Sequence, residues 1–295
     1  MKAINSDIKY IVGRNNLAVT IFVPYDCPNH CPFCTSKEDY KDSATFSLDK
    51  ILESISAVGD IRQVSDFVIT GGEPFADLTK LQKILDICAV FRKNIFINTT
   101  LPARDAEEAT AIIDFILKNQ NIISGINISR HMMLKTNLEV DGIIKVIHET
   151  TRIPLRINSV LLDVKAEEKK VIQFIWKYAN IVNSINFRGD YTKVKNQDDL
   201  RTLDHPILDI LFKAENMEYL SSGGCLVCNN NDFRYYLAGA KRYLYVSLHR
   251  GYEHSLVIKG NNYILNDIII KQDGSILMDW DGQKLDLYSL KKQWK

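Results

Sequence analysis

A chain of 295 residues with 46% hydrophobic content can bury a sizeable core, as one large domain or as one domain with an extension. Lysine and arginine number 37 against 36 for aspartate and glutamate, and the formal net charge of +1 argues against a broad electrostatic grip on nucleic acid. The stretch from Met1 to Gly13 lacks the apolar core of a secretion signal and no apolar run is long enough to span a bilayer, so a cytoplasmic protein without a membrane partner is expected.

Leu17–Val23 is the first strand candidate. It is followed at once by Cys27-Pro-Asn-His-Cys31-Pro-Phe-Cys34, three cysteines separated by three and then two residues. Six cysteines in a chain of this length, three of them clustered, indicate metal ligation in a reducing compartment rather than a disulfide framework. Three thiolates on one short loop can hold three corners of a [4Fe–4S] cube and leave the fourth iron open. The same three cysteines with His30 would also describe a zinc site. Asp66–Thr70 reads as the next strand and runs into Gly71-Gly72-Glu73-Pro74, where paired glycines let the backbone approach a ligand closely. A plain strand-to-helix turn would also suit that composition.

Leu78–Phe91 has Leu78, Leu81, Ile84, Leu85 and Cys88 on one helical face, with Asp77 at the N-cap position and Cys88 expected in the core. Ile95–Asn98 is a strand candidate, and Asp105 with Glu108 forms a capping-box pattern ahead of Ile112, Ile113 and Ile116. Gly125–Ser129, Leu155–Leu161 and Ser184–Arg188 complete a series of strands alternating with helices, which indicates parallel pairing. Periodicity alone does not separate an open barrel from a doubly wound sheet.

The pattern changes after Arg188. Asp190 to Asp204 is polar, and a short helix is expected near Pro206–Ala214. From Tyr219 the chain reads as strands, notably Tyr243–Leu248, Leu256–Ile258, Tyr263–Ile270 and Ser275–Asp279, with turn signals at Asn261-Asn262 and Asp273-Gly274. The expectation is an α/β domain over residues 1–189 and a mostly β extension over residues 190–295, packed on the first.

The cysteine spacing and the glycine-rich turn that follows it, in this order and about forty residues apart, resemble the two signatures of the radical S-adenosylmethionine (radical SAM) superfamily. That resemblance implies a partial, TIM-like (β/α)6 barrel holding a [4Fe–4S] cluster on Cys27, Cys31 and Cys34. It also implies S-adenosylmethionine as cofactor, with Phe33 beside its adenine and Gly71, Gly72 and Glu73 at its methionine amino group. Residues at the carboxyl ends of barrel strands face the site. Asn98, Thr99 and Thr100, and then Ser129 and Arg130, resemble the positions that contact the cofactor's ribose and carboxylate. Asn158 resembles a ribose-binding asparagine, and Arg188 a cofactor- or substrate-facing arginine. Each of these polar residues could instead cap a strand or pair on the surface. His131 is a candidate for the substrate cavity, against the plainer reading of a solvated loop histidine. The implied chemistry is reductive cleavage of the cofactor to a 5′-deoxyadenosyl radical that takes hydrogen from a substrate, with an external flavodoxin- or ferredoxin-like electron donor.

Gly223-Gly224-Cys225-Leu226-Val227-Cys228 adds a second cysteine pair. In relatives such as the GTP cyclase of molybdenum-cofactor synthesis and the SPASM and twitch enzymes, such a pair begins an auxiliary iron–sulfur site. No cysteine lies between Asn229 and Lys295, so a four-cysteine auxiliary cluster is not available. A structural remnant, a zinc site completed by His249 or His254, and a hydrogen-atom donor remain open for Cys225 and Cys228.

The chain ends in Leu290-Lys291-Lys292-Gln293-Trp294-Lys295, unlike the arginine- and glycine-rich tail of the molybdenum-cofactor cyclase. Few residues precede the first strand, and no separate N-terminal peptide-recognition domain is expected. A small polar substrate, nucleotide- or sugar-like, is therefore expected. The alternative is radical modification of a peptide or protein, including activation of a glycyl-radical enzyme. A non-catalytic iron–sulfur sensor is the alternative from another class.

Overall fold

Runs of branched apolar residues alternate with amphipathic stretches, and the computed structural model resolves that alternation into strands and helices. It describes residues 9–12, 17–24, 27–29, 31–34, 45–131, 138–161, 168–189, 217–225, 230–237, 242–249, 257–259, 262–265, 267–278 and 282–294. In chain order the elements are β1 (Lys9–Val12), β2 (Leu17–Val23), α1 (Leu48–Gly59), β3 (Val64–Gly71), α2 (Leu78–Val90), β4 (Asn94–Thr99), α3 (Ala106–Lys118), β5 (Gly125–Ser129), α4 (Leu138–Thr150), β6 (Leu155–Leu161), α5 (Glu168–Ala179) and β7 (Ser184–Gly189). They continue with β8 (Met217–Cys225), β9 (Asn230–Leu237), β10 (Arg242–His249), β11 (Val257–Lys259), β12 (Asn262–Leu265), β13 (Asp267–Ile270), β14 (Ile276–Leu277) and a last helix, α6 (Leu287–Gln293). This is a mixed α/β fold with an open sheet of parallel strands and intervening helices, the partial TIM-like pattern expected.

Helix starts are set by side-chain caps. The side chains of Ser47, Asp77, Asp105 and Asp286 accept from Lys50, Lys80, Glu108 and Ser289 backbone N–H groups at the starts of α1, α2, α3 and α6. At α3 the expected capping box is displaced by one residue. Glu108 reaches back to the backbone N–H of Arg104 rather than to that of Asp105, and also grips the Arg104 guanidinium.

The chain divides into two compact units. The first comprises Met1–Pro28, Glu38–Ile97 and His254–Lys295. In it β13, β2, β3 and β4 lie side by side in parallel, and β14 pairs antiparallel with β13. Val19 and Ile21, Phe67 and Ile69, and Ile95 and Ile97 share one face through this register and are buried. The apolar stripes of α1 (Ile51, Ile55, Val58) and α2 (Leu81, Ile84, Leu85, Cys88) are buried with them. Each such side chain contributes about 1.5–3 kcal/mol through burial. Burial also pushes the Cys88 thiol up, in keeping with the core role expected for it.

The expected strand Tyr263–Ile270 is two strands in different sheets. Asn262–Leu265 pairs with β1 and β11, whereas Asp267–Ile270 pairs with β2. Unforeseen β1 is held by the last helix: Tyr10 N–H donates to the Gln293 side chain at 2.8 Å and Trp294 Nε1 to the Tyr10 carbonyl at 3.2 Å. At the Asp273-Gly274 turn, Gly274 has φ +81° and a Cβ there would stand 2.8 Å from the backbone of Lys50. The Gly274 carbonyl accepts from Ser54 Oγ at 2.6 Å, tying that turn to α1.

The second unit comprises Asn29–Lys37 and Asn98–Glu253. Its strands run β5-β6-β7-β10 in parallel, continued antiparallel by β9 and β8. Ile126, Ile128, Leu155, Ile157, Ile185 and Phe187 are buried, and so are the stripes of α4 (Val140, Ile143, Ile144, Ile147) and α5 (Val171, Phe174, Ile175, Tyr178). The opposite face is polar. It carries Asn127 and Ser129, Arg156 and Asn158, and Ser184, Asn186 and Arg188 in successive registered rows. The helix expected at Pro206–Ala214, together with His30, Asn261, His254 and Cys228, lies outside the described residues.

Candidate functional site

Two motif loops leave the first unit's sheet side by side. Val23 at the end of β2 pairs in register with Gly71 at the end of β3, so the chain entering the cysteine loop starts next to the Gly71-Gly72-Glu73 turn. Gly71 has φ +113°, and a Cβ there would lie 2.8 Å from the Val23 backbone nitrogen. Close approach of β2 therefore requires glycine at this position whatever the turn binds. Glu73 is fully buried, and its Oε1 accepts from the Phe75 backbone N–H at 3.1 Å, capping the 3-10 turn Pro74–Ala76.

Cys27, Cys31 and Cys34 are half-buried thiols outside any disulfide. Among the described residues no group of three or more His, Cys, Asp and Glu side chains is arranged to hold a metal. The donor set still suits an iron–sulfur cluster. It consists of three soft ligands on one short loop, and Cys34 N–H closes a turn onto the Cys31 carbonyl at 3.2 Å.

In the second unit this loop is docked at two points. Asn29 Nδ2 donates to Thr100 Oγ1 at 2.9 Å, and the Phe33 ring meets His131 edge-on at a centroid distance of 4.5 Å. His131 is buried, which corrects the plain reading of a solvated loop histidine. The Val160 backbone N–H donates to its Nδ1 at 3.0 Å, so the ring proton sits on Nε2. Burial first, and then the charge of Arg130, pushes this imidazole down to about 4, and the ring is neutral at pH 7.

The strand-end residues divide by how far neighbouring groups already engage them. Asn98 Oδ1 accepts from Asn127 Nδ2 at 2.8 Å, while buried Thr99 turns its Oγ1 to the Leu101 backbone N–H at 2.8 Å. Ser129 pairs in register with Asn158, and Asn158 Oδ1 accepts from Asn186 Nδ2 at 3.3 Å. Arg130 is buried. Its Nη2 donates to Asp141 Oδ1 at 2.9 Å and its Nε to the Tyr178 hydroxyl at 3.2 Å. Tyr178 itself donates to Asp141 at 3.0 Å, and Lys177 closes on the other carboxylate oxygen at 2.6 Å. Burial opposes ionisation of Asp141. The Lys177 hydrogen bond and the charge of Arg130 overcome it, holding that carboxyl below its ordinary value. Arg188 has a buried Nε with no hydrogen-bond partner among the described residues.

Sequence reasoning missed Asp141, Lys177 and Tyr178. The available signal was Tyr178 on the apolar stripe of α5 behind Val171, Phe174 and Ile175, since a buried phenol needs a partner for its hydroxyl. Cys225 ends β8 opposite Asn230, and His249 is the register partner of Arg188. Nothing described brings either to the cysteine loop.

Residues 21–129 match the family model described as the radical SAM superfamily. Among solved structures, the chain is similar to Streptococcus suis SuiB bound to the precursor peptide SuiA. Identity is 17%, coverage is 98% of this chain and 66% of that one, and the TM-score is 0.59. It is also similar to SuiB bound to S-adenosylmethionine, at 18% identity, 92% and 63% coverage and a TM-score of 0.56. The chain therefore spans less than two thirds of that protein's length, and at this identity the likeness is one of fold. Comparison with curated proteins found no match. No helix among the described residues is long and apolar enough to cross a membrane.

Proposed function

We propose that this protein is a radical SAM enzyme. The observation that carries the reading is the three-cysteine stretch following β2, whose last residue Val23 pairs with Gly71 at the start of the glycine turn, within the residues that match the superfamily model. A [4Fe–4S] cluster with S-adenosylmethionine would supply one-electron reductive cleavage, yielding an adenosyl species able to remove hydrogen from a substrate.

The chain's own residues bind and orient. Cys27, Cys31 and Cys34 would hold the cluster, with the Asn29–Thr100 and Phe33–His131 contacts steadying the last two. Gly71, Gly72 and Glu73 would meet the cofactor's amino end through backbone groups, since Glu73 already spends one carboxylate oxygen on its own turn. Phe33, Asn98, Thr99, Ser129, Arg130 and Asn158 would frame the cofactor's remaining parts. In this reading residues 1–189 form the cofactor-binding part and residues 190–295 the part that shapes the substrate side. Cys225 and Cys228 serve the fold first, with zinc ligation or hydrogen donation as secondary roles.

The polar face of the second-unit sheet, with Asn127, Asn158 and Asn186 where a filled barrel would carry apolar residues, supports a small polar substrate. The SuiB-like fold supports a second reading, radical modification of a peptide. Anaerobic reconstitution followed by dithionite and S-adenosylmethionine tests the common part. Formation of 5′-deoxyadenosine is expected, and a protein that binds only zinc, or yields none of this product, overturns the reading. A neutral, uncharged peptide library and a set of phosphorylated and carboxylated metabolites, scored for accelerated 5′-deoxyadenosine release, separate the two substrate classes.

A further inference from the structure

Arg130 and Arg188 stand at the carboxyl ends of two parallel strands, β5 and β7, that flank β6, where a parallel α/β fold presents ligand-facing groups. Arg130 is committed to Asp141 and Tyr178. Arg188, the second-to-last residue of β7, has Val160 and His249 as register partners. It lies on the polar face one step beyond Asn158 and Asn186, and its Nε is shut off from solvent without an acceptor among the described residues. A guanidinium N–H left buried and unpaired is unfavourable, and folded proteins rarely keep one unless a ligand completes it. Its planar fork matches carboxylate and phosphate oxygens.

We propose that Arg188 recognises an anionic group, a carboxylate or a phosphate, carried by the substrate. This deepens the radical SAM reading and rests on it for the word substrate, but anion capture at this strand end can be measured without the cofactor. The polar row supports a subsite here: the Asn158–Asn186 hydrogen bond at 3.3 Å holds two amides one pleat below the guanidinium, and the Asn158 carbonyl is fixed by the Arg130 N–H at 2.9 Å.

The test is calorimetric titration of the reconstituted protein with inorganic phosphate, with glutarate and with uncharged glutaramide. Separate titrations use S-adenosylmethionine and 5′-methylthioadenosine, which lacks the amino acid part. The wild type is expected to bind phosphate or glutarate and to ignore glutaramide, and which anion binds names the substrate's group. Arg188→Gln is expected to weaken that anion about tenfold or more. Its affinity for S-adenosylmethionine should stay within about twofold of wild type. Arg188→Lys, which keeps charge without the fork, should fall between and guards against a variant that fails to fold. The proposal is overturned if the wild type binds neither anion, or if Arg188→Gln leaves anion binding intact. It is also overturned if the variant loses S-adenosylmethionine but keeps 5′-methylthioadenosine, because the arginine then serves the cofactor's carboxylate. A wild type that binds the anion through Arg188 yet ignores S-adenosylmethionine would sink the radical SAM reading and leave the anion site standing.

Discussion

Arg130 and Arg188 close strands of one sheet, yet only the first is electrostatically complete. Around Arg130 a carboxylate, a phenol and a lysine arrive from α4 and α5, so the guanidinium is neutralised and fixed before any ligand appears. Arg188 Nε has no acceptor among the described residues. The difference teaches how a parallel fold can spend two like residues differently. One holds helices against a strand end, and the other keeps a buried donor without a partner among the described residues.

The largest expected effect lies in the cysteine loop and tests whether the ligand-facing side of this comparison is a cofactor site at all. Cys31→Ala should lower iron in reconstituted protein from roughly four per chain to near none and abolish 5′-deoxyadenosine formation. The urea midpoint should change little, because Cys31 is half-buried and lies outside the apolar core. Iron retained at wild-type content would break the assignment.

Next comes the Arg130 network. Asp141→Ala leaves a buried guanidinium without its counter-charge and should cost about 3–5 kcal/mol by urea unfolding. The same carboxyl adds a pH signature. Its folded pKa is depressed, so its stabilisation is present above its unfolded value near 4 and is lost as pH falls through the folded value. Asp141→Ala should therefore flatten the acid limb of the stability profile. An unchanged midpoint would mean that Arg130 is not held as described.

His131 gives a smaller effect of the same sign in a higher pH window. Its folded pKa of about 4 lies below the unfolded 6.5, so its contribution is complete above pH 6.5 and fades as pH falls towards 4. Wild type should lose up to about 3 kcal/mol across that window relative to His131→Asn. Parallel pH profiles for the two proteins would contradict a buried neutral ring.

Much of this was legible beforehand, for identifiable reasons. Leu17–Val23 and Gly125–Ser129 have the predicted bounds because the runs there end at Pro24 and at Ser129-Arg130, turn-forming and polar residues. The Asp77 and Asp105 caps were visible because the acceptor is local to the donor. Tyr263–Ile270 was not, since an unbroken apolar run carries no mark of which sheet each half will join. The partners of Arg130 were hidden for a related reason. Asp141 and Tyr178 lie 11 and 48 residues away, and only the packing of α4 and α5 brings them together. Chemistry written in contiguous residues, as in the cysteine loop, can be read directly; chemistry assembled across elements cannot.

The smallest stability change is expected at Arg188, and its smallness is the informative part. Arg188→Met keeps the unbranched stem that packs along the sheet and removes a buried donor that has no acceptor. Losing an unsatisfied group is neutral or favourable, so unfolding stability should stay within about 0.5 kcal/mol of wild type or rise slightly. Arg130→Met at the end of β5 strands Asp141 beside a lone lysine and should cost about 3 kcal/mol. Measured together by urea unfolding, the two variants give a difference that cancels the common effect of deleting a guanidinium. If Arg188→Met were as damaging as Arg130→Met, the Arg188 donor would have a partner within the fold, and the contrast between the two strand ends would disappear.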